Sequence, residues 1–256
     1  MDIRVYGILP SYIINKYFIE FMEEIKTSTP QQNNLAIPGA IVIAGLAIAV
    51  AVYFGGNNPN TYTTQPGTAN TKVVLEPITE ADHIIGNPNA KIIIVEYSDT
   101  ECPYCKDFHG SMNQVMSEYG KDGKVAWVYR HFPLPFHTKA PKEAEATECV
   151  NKLGGNEKFW EYLNKIFSVT PSNNGLDSAE LPKLAVSIGI DETLFNTCLN
   201  SGEMKSIVDG GIASGQKAGV SGTPHSLIVV NGKVVDTING AQPYEVVKAQ
   251  IDALLR

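Results

Sequence analysis

Apolar and polar positions divide the chain into regions of different character. Residues 35–54 form an apolar run that contains no charged side chain. A helix rises about 1.5 Å per residue, so about 20 residues cross a hydrocarbon core of about 30 Å. From about residue 72 the pattern changes to short apolar runs and helical periodicities. The pattern predicts a transmembrane anchor at 35–54 and a folded domain at 72–256.

The folded domain is predicted to combine strands and helices. Strands are expected at 91–97 and 125–132, and Asn231-Gly232 indicates a hairpin between 227–230 and 233–236. Helices are expected after Cys102 as far as Tyr119, and at 141–153, 157–167, 178–188, 191–199 and 244–255. This order predicts an α/β fold with a helical insertion at about 137–219.

Two of the predicted helices carry N-cap candidates, and the last one has an apolar face. Ser178 and Asp191 offer side-chain oxygens that accept backbone N–H groups at a helix start. The last helix is expected to bury five apolar side chains: Val246, Val247, Ile251, Leu254 and Leu255.

The apolar run has two other interpretations, which stay open. Ala-Val-Ala at 49–51 resembles the cleavage site of a signal peptide, and a buried helix of a soluble domain is the third interpretation. Residues 55–71 are rich in Asn, Thr, Gly and Pro. They are expected to form a flexible linker, because they offer little apolar surface to offset the entropy of ordering.

Basic residues predict the orientation of the anchor. Arg4, Lys16 and Lys26 precede it, whereas no basic residue follows it before Lys72. Since positively charged flanks stay in the cytoplasm, residues 1–34 are expected to be cytoplasmic and the domain extracytoplasmic. Met22 is an alternative start, which would shorten the cytoplasmic segment.

Composition narrows the class of function. The formal net charge is -7 and the basic residues form no dense cluster, which argues against nucleic acid as a partner. The four cysteines lie in the predicted extracytoplasmic domain, where disulfides persist: Cys102, Cys105, Cys149 and Cys198. No cofactor is expected.

The sequence Cys102-Pro103-Tyr104-Cys105 lies between a predicted strand and a predicted helix. A cysteine at a helix N-terminus faces unpaired backbone N–H groups and the positive end of the helix dipole, and both lower the pKa of its thiol. Pro103 fits the first turn without losing a hydrogen bond. Cys102 is the expected exposed nucleophile. Cys105, one turn later, is the expected buried thiol that resolves the mixed disulfide.

A zinc site and an inert disulfide are the other interpretations of this pair. Structural zinc usually takes a second Cys pair, whereas Cys149 and Cys198 are isolated, although His109 and His131 offer nitrogen ligands. A short disulfide ring is strained and easily reduced. No metal is expected on these grounds. The remaining histidines show no ligand or triad spacing: His83, His137 and His225.

Residues from about 80 to 256 resemble the DsbA-like branch of the thioredoxin superfamily. Four features carry the resemblance: the run from Ile94 to Cys105, the helical block between Trp127 and Val220, Ser221-Gly222-Thr223-Pro224 before a strand, and Phe159-Trp160 followed by Cys198. The resemblance implies a thioredoxin-like fold and thiol–disulfide exchange.

The resemblance also implies a site for the substrate chain. Pro224 would be a cis-proline beside the redox pair, with a trans-proline at an edge strand as the alternative. The Thr223 backbone would then be free to pair with an extended substrate, and Pro103 and Tyr104 would contact it from the redox motif.

Two further roles follow from the resemblance. Glu96 would be a buried acid with a raised pKa that exchanges a proton with Cys105, unless strand alternation turns it outward. Cys149 and Cys198 would form a structural disulfide, with two free buried thiols as the alternative.

The leading hypothesis is a disulfide-forming oxidase for exported proteins, reoxidised by a quinone-linked membrane partner, as the resemblance implies. Tyr104 stands where the best-known disulfide donors have histidine, so thiolate stabilisation is expected to be weaker. A disulfide reductase or isomerase is the first alternative, and a non-catalytic module that binds extended peptides is the second. No dimerisation segment is evident, so a monomer is expected.

Overall fold

The computed structural model describes residues 73–256, which contain one mixed five-stranded sheet. The strands are β1 (His83–Gly86), β2 (Ile92–Ser98), β3 (Val125–His131), β4 (His225–Val230) and β5 (Lys233–Asn239). Their order across the sheet is β1-β3-β2-β4-β5. β2 and β3 are parallel, and the other neighbouring strands are antiparallel.

The described residues contain six α-helices, and four of them lie in the predicted insertion. The six helices are α1 (Pro103–Val115), α2 (Ala140–Val169), α3 (Glu180–Ser187), α4 (Glu192–Ser201), α5 (Lys205–Lys217) and α6 (Tyr244–Leu255). α1 continues into a π-helical turn at Met116–Gly120, so its predicted end is confirmed. α2 to α5 lie between β3 and β4 in the chain and form the predicted insertion.

β2 is apolar on both faces because both faces are covered. Ile92 and Ile94 belong to a core that α1, α2 and α6 share with the sheet. Val95 and Tyr97 belong to a second core on the opposite face. Since neither face meets water, the first four residues of the strand are all apolar, without polar alternation.

Two local predictions about turns are confirmed. α2 bends at Gly155, where φ is 79°, so the helix is interrupted between residues 153 and 157. Asn231 and Gly232 have φ of 51° and 74°. A two-residue hairpin turn requires positive φ at both central positions, which Asn and Gly tolerate best.

The two predicted N-caps have different outcomes. Asp191 caps α4, because its Oδ1 accepts the backbone N–H of Leu194 at 2.9 Å. The cap predicted at Ser178 is wrong, since α3 begins at Glu180 and has no side-chain cap. The preceding Asp177 forms the polar turn there instead, and its Oδ1 accepts the N–H of Ala179 at 3.0 Å.

Two other expectations differ from the structure. Val246, expected on the inner face of α6, is 42% exposed, whereas Val247 and Ile251 are fully buried. β1 was not expected, because its four residues are too few for a clear strand pattern. It pairs with β3 at the edge of the sheet, with His83 opposite Tyr129.

α5 lies very close to β3. A Cβ atom added to Gly211 would stand 2.5 Å from the carbonyl oxygen of His131, and one added to Gly215 would stand 2.5 Å from the ring of Phe132. No side chain tolerates such distances, so both positions need glycine for the helix to lie on the strand.

The predictions for residues 1–34, 35–54 and 55–71 concern positions outside the described residues. Within 73–256, no helix combines the length and the apolar character that crossing a membrane requires. The cytoplasmic segment, the anchor and the linker therefore stay predictions.

Candidate active site

The Cys102–Cys105 pair lies at the start of α1, with Cys105 in the first turn of the helix. Cys102 is the N-cap of α1, with φ -80° and ψ 120°, and Pro103 opens the helix. Both cysteines are free thiols. The structure thus puts the Cys102 sulfur beside the backbone N–H groups that the first turn of a helix leaves unpaired.

Hydrogen bonds give the two thiols opposite acidities. The pKa of Cys102 is lowered to about 6, chiefly because the Cys105 thiol donates a hydrogen bond to its sulfur, with further donation from the backbone N–H groups of Cys105 and Tyr104. The pKa of Cys105 is raised well above its usual range by burial and by the neighbouring Cys102 sulfur. The negative charge therefore resides on Cys102 and the proton on Cys105.

The expectation that Cys102 is an exposed nucleophile needs correction. Only 3% of Cys102 is exposed, and Cys105 is fully buried. The loop before β4 covers Cys102, since the carbonyl oxygen of Thr223 lies 3.5 Å from its Sγ. The open part of the motif is Tyr104, whose side chain is 64% exposed. Tyr104 and the Thr223 loop thus frame the approach to the sulfur.

The peptide bond between Thr223 and Pro224 is cis, as the resemblance implies. It directly precedes β4, and the Thr223 carbonyl oxygen lies beside the Cys102 thiol. Burial lowers the pKa of the adjacent His225, so this ring is neutral near pH 7. His225 therefore adds no positive charge to the site.

Glu96 lies on β2 and is 1% exposed, so the outward orientation does not occur. Burial raises its pKa to about 7, although Trp127 Nε1 donates a hydrogen bond to its Oε2 at 2.9 Å. The charge of Glu96 contributes to the raised pKa of Cys105. A carboxyl group that titrates near neutral pH beside a thiol can exchange a proton with it.

Glu101, which sequence analysis missed, binds the redox loop to the helical insertion. Its carboxylate accepts the backbone N–H groups of Gly175 and Leu176, both at 3.2 Å. Its carbonyl oxygen accepts the N–H of Asn173 at 2.7 Å. The residue directly before Cys102 is therefore held by the loop between α2 and α3. An acid before the motif is visible in the sequence, but its distant partners are not.

A second buried acid, Glu143 on α2, supports this link. Burial and a hydrogen bond with Glu101 raise the pKa of Glu143 to about 8. The Thr100 hydroxyl donates to its Oε2 at 2.6 Å. Glu143 is therefore protonated near pH 7, and the two carboxyl groups can share a hydrogen bond instead of repelling each other.

Asp99 holds the other side of the redox loop. Its backbone N–H donates to Cys105 Sγ at 3.4 Å. Its Oδ2 accepts the N–H of Leu134 at 2.7 Å and lies 2.8 Å from His137 Nδ1. His137 thus has a positioning partner that sequence spacing did not indicate.

Cys149 on α2 and Cys198 on α4 are joined by a disulfide. Their Cα atoms are 5.8 Å apart, and 49 positions separate them in the chain. Both belong to an apolar cluster inside the insertion. The alternative of two free thiols is therefore not what the structure contains.

The structure does not assemble a zinc site at the redox pair. Within residues 73–256, one group of His, Cys, Asp and Glu side chains has ligand atoms within 4.8 Å of one another, and it consists of His83, His131 and Glu148. His109, offered above as a zinc ligand, instead lies 2.6 Å from Asn164 Oδ1 through its Nε2. Nothing in the spacing of His83, His131 and Glu148 along the sequence predicted that they would cluster.

Comparison with known proteins agrees with this geometry. A family model described as thioredoxin (Thioredoxin_4) matches residues 78–253. The chain belongs to this thioredoxin family. Its described part is a DsbA-like thiol–disulfide oxidoreductase domain, in which a strand, the redox motif, a helical insertion and a cis-proline loop follow in order.

Solved structures support the DsbA-like assignment. DsbA2 of Pseudomonas aeruginosa is 26% identical with a TM-score of 0.57, covering 70% of this chain and 97% of that one. BdbD of Bacillus subtilis, in its oxidised form, is also 26% identical, with a TM-score of 0.61, covering 72% and 97%. The α-DsbA1 of Wolbachia pipientis, at 22% identity and a TM-score of 0.61 over 72% and 94%, shares the fold.

Curated relatives extend well beyond the matched region. A Na(+)/H(+) antiporter NhaA 1 of Mycolicibacterium gilvum is 29% identical over 177 residues, which are 69% of this chain and 27% of that protein. A Na(+)/H(+) antiporter NhaA of Herminiimonas arsenicoxydans is 33% identical over 159 residues, or 61% and 24%. This chain thus spans about a quarter of the length of these relatives.

Proposed function

We propose that this protein is a membrane-attached oxidase that introduces disulfides into exported protein chains. One observation carries the proposal: hydrogen bonds lower the pKa of the Cys102 thiol to about 6, while Cys105 beside it keeps its proton. Stabilising the thiolate stabilises the reduced protein. A redox protein whose reduced form is stable is a stronger oxidant.

The reaction begins from the Cys102–Cys105 disulfide. A substrate thiolate attacks Sγ of Cys102, the bond between the two cysteines breaks, and Cys105 leaves as a thiolate. Because Cys105 has a high pKa and Glu96 titrates near pH 7, the proton passes from Glu96 to Cys105.

A second substrate thiolate completes the exchange. It attacks the substrate sulfur of the mixed disulfide, so the substrate disulfide forms and Cys102 leaves as a stabilised thiolate. Two electrons have then moved from the substrate to the Cys102–Cys105 pair. A quinone-linked oxidase in the membrane is the proposed acceptor that restores the disulfide.

The proposed substrate surface surrounds the covered Cys102 sulfur. Tyr104 projects into solvent beside it, and Thr223 lies just before the first residue of β4. An extended chain would pair with the Thr223 backbone and contact Pro103 and Tyr104. Backbone pairing of this kind accepts many sequences, which suits an enzyme that acts on diverse exported proteins.

We propose that the domain works outside the cytoplasm, as a monomer held by an anchor at 35–54. The uncharged run at 35–54 and the basic residues before it support this orientation. The Cys149–Cys198 disulfide supports it independently, because such bonds persist in oxidising compartments.

The reduction potential tests the direction of electron flow. The full-length protein is equilibrated in glutathione buffers of graded potential, alkylated and digested, and the Cys102–Cys105 peptide is quantified by mass spectrometry. We expect a potential well above the value of about -270 mV typical of thioredoxin, towards the value of about -120 mV of strong disulfide donors. A value at or below about -270 mV would refute the oxidase and favour the reductase.

A further inference from the structure

We propose that His83, His131 and Glu148 form a binding site for a zinc ion, distinct from the redox pair. Nε2 of His83 lies 2.7 Å from Oε1 of Glu148, and Nε2 of His131 lies 2.9 Å from the same oxygen. All three side chains are buried. Two imidazoles and one carboxylate make a ligand set that proteins use for zinc. The inference does not depend on the proposed oxidase function.

The distances suit a shared ion. Zinc lies about 2.0–2.2 Å from imidazole nitrogen and carboxylate oxygen, so two ligands of a tetrahedral ion are about 3.3 Å apart. The observed separations of 2.7 and 2.9 Å are a few tenths of an ångström shorter. Small rotations of the three side chains would therefore admit the ion without moving the backbone.

Three different elements hold the ligands in place. His83 begins β1, His131 ends β3, and Glu148 lies on α2. The His83 ring stacks on Phe159 at 3.5 Å between centroids, with 9° between the planes. Such packing restricts the rings to orientations that keep the nitrogens convergent, which lowers the entropy lost when an ion binds.

The charged side chains around the cluster are compatible with a bound cation. Among the described residues, no lysine or arginine lies within ion-pair distance of Glu148, whose carboxylate contacts the two histidine nitrogens. Arg130 lines the same cavity, but Asp82 accepts its Nε at 2.7 Å and its Nη2 at 3.1 Å. The positive charge of Arg130 is therefore already balanced by Asp82, and Glu148 remains available to a dication.

A cavity of about 440 Å³ gives access and a fourth coordination position. All three ligands line it, and Gly210 and Gly211 of α5 form part of its wall. A zinc ion with three protein ligands completes its coordination with water or another small ligand. The cavity has ample volume for that ligand, because a water molecule occupies about 30 Å³.

Without an ion, the same atoms form a hydrogen-bonded cluster. Each imidazole donates its Nε2–H to Glu148, and Thr147 Oγ1 lies 3.2 Å from His131 Nε2. When zinc binds, each neutral imidazole carries its proton on Nδ1 and presents the Nε2 lone pair to the ion.

Zinc titration of the oxidised full-length protein tests the site. Oxidation ties up the Cys102 and Cys105 thiolates, so they cannot bind the ion. We expect one zinc per chain by calorimetry, and a raised melting temperature. Cobalt should give the visible bands of a tetrahedral ion without the near-ultraviolet band of thiolate ligands.

Matched variants locate the ion. Glu148→Gln and His131→Gln are each expected to lower zinc affinity by more than about 100-fold, since removing a ligand exceeds the effect of removing an outer partner. His109→Gln is the control, because it removes another buried imidazole that bonds Asn164 and lies outside the cluster. Circular dichroism verifies that each variant is folded.

The wild-type protein provides a readout that does not depend on variant folding. Nitrogen NMR of the imidazoles should show Nε2 of His83 and His131 shifting on zinc addition, with the other histidines unchanged. The proposal is overturned if oxidised wild type binds no zinc, if these two rings do not shift, or if folded Glu148→Gln binds zinc as tightly as wild type.

Discussion

The two cysteine pairs of this protein occupy opposite surroundings. Cys102 and Cys105 lie at the start of a helix, beside backbone N–H groups, the Thr223 carbonyl group and an ionisable carboxyl group. Cys149 and Cys198 lie inside an apolar cluster between α2 and α4. Three positions separate the first pair in the chain and 49 separate the second.

The different surroundings suit the two cysteine pairs to different functions. A thiol is reactive when its thiolate is stabilised and when a substrate can reach it. The helix start stabilises the Cys102 thiolate, whereas Cys149 and Cys198 are bonded to each other among buried apolar side chains. A bridge across a long segment restricts the unfolded chain, and a bridge across a short one does so much less. The first pair is suited to exchange and the second to stability.

The largest expected effect comes from Cys102→Ser. A hydroxyl group cannot form a disulfide, so oxidation of a dithiol peptide should fall to the uncatalysed rate, while peptide binding persists. Offered a peptide that already contains a disulfide, Cys105→Ser should instead accumulate a mixed disulfide: Cys102 attacks the peptide disulfide and releases one peptide thiol, and the resolving thiol is missing. Mass spectrometry of the peptide and the protein measures both. Catalysis by Cys102→Ser at the wild-type rate would contradict the assignment of the nucleophile.

The next effect concerns stability alone. Replacing both Cys149 and Cys198 by alanine should lower the free energy of unfolding by up to about 4 kcal/mol, the chain-entropy value for a loop of this length. Urea denaturation measures it. The oxidation rate at a temperature where the variant stays folded serves as the control and should be retained. If the variant were inactive while folded, the separation of roles would fail.

A smaller effect is expected from Glu96→Gln in the reduced protein. Burial raises the pKa of Glu96 from 4.5 to about 7, so the folded protein keeps a proton that the unfolded chain releases as pH rises through this window. Wild-type stability therefore decreases from pH 4.5 to 7, and at pH 8 the variant should be more stable by about 3 kcal/mol.

The control for Glu96→Gln is Glu157→Gln, which changes an exposed carboxylate on α2. Urea denaturation at several pH values should show the wild-type slope in the control and a reduced slope in Glu96→Gln. Equal slopes in all three proteins would mean that the buried carboxyl group is not neutral at the redox site.

Much of the fold follows from local sequence pattern. The central strands, the helix after the redox motif, the Asn231–Gly232 hairpin and the closing helix each have a signal within a few neighbouring residues. Local signals fail where two of them compete. Asp177 and Ser178 both offer a side-chain acceptor at the start of α3, and no local rule decides that Asp177 accepts the backbone N–H.

Tertiary contacts account for what the sequence did not reveal. The burial of Cys102 depends on the loop at Thr223, which lies 121 positions away. His83 and His131 are 65 and 17 positions from Glu148, and they meet because β1 pairs with β3 in one register and α2 packs beside them. Neither fact has a signature in spacing along the chain.

The three hydrogen bonds of Glu101 have a mechanical consequence. They connect the residue before Cys102 to the loop that joins α2 and α3, so a movement of that loop would be felt at the redox motif. A substrate chain that bound to the helical insertion would thus transmit force through Glu101 to the disulfide being exchanged. Substrate binding and disulfide exchange would thus be linked through the single peptide unit that joins Glu101 to Cys102.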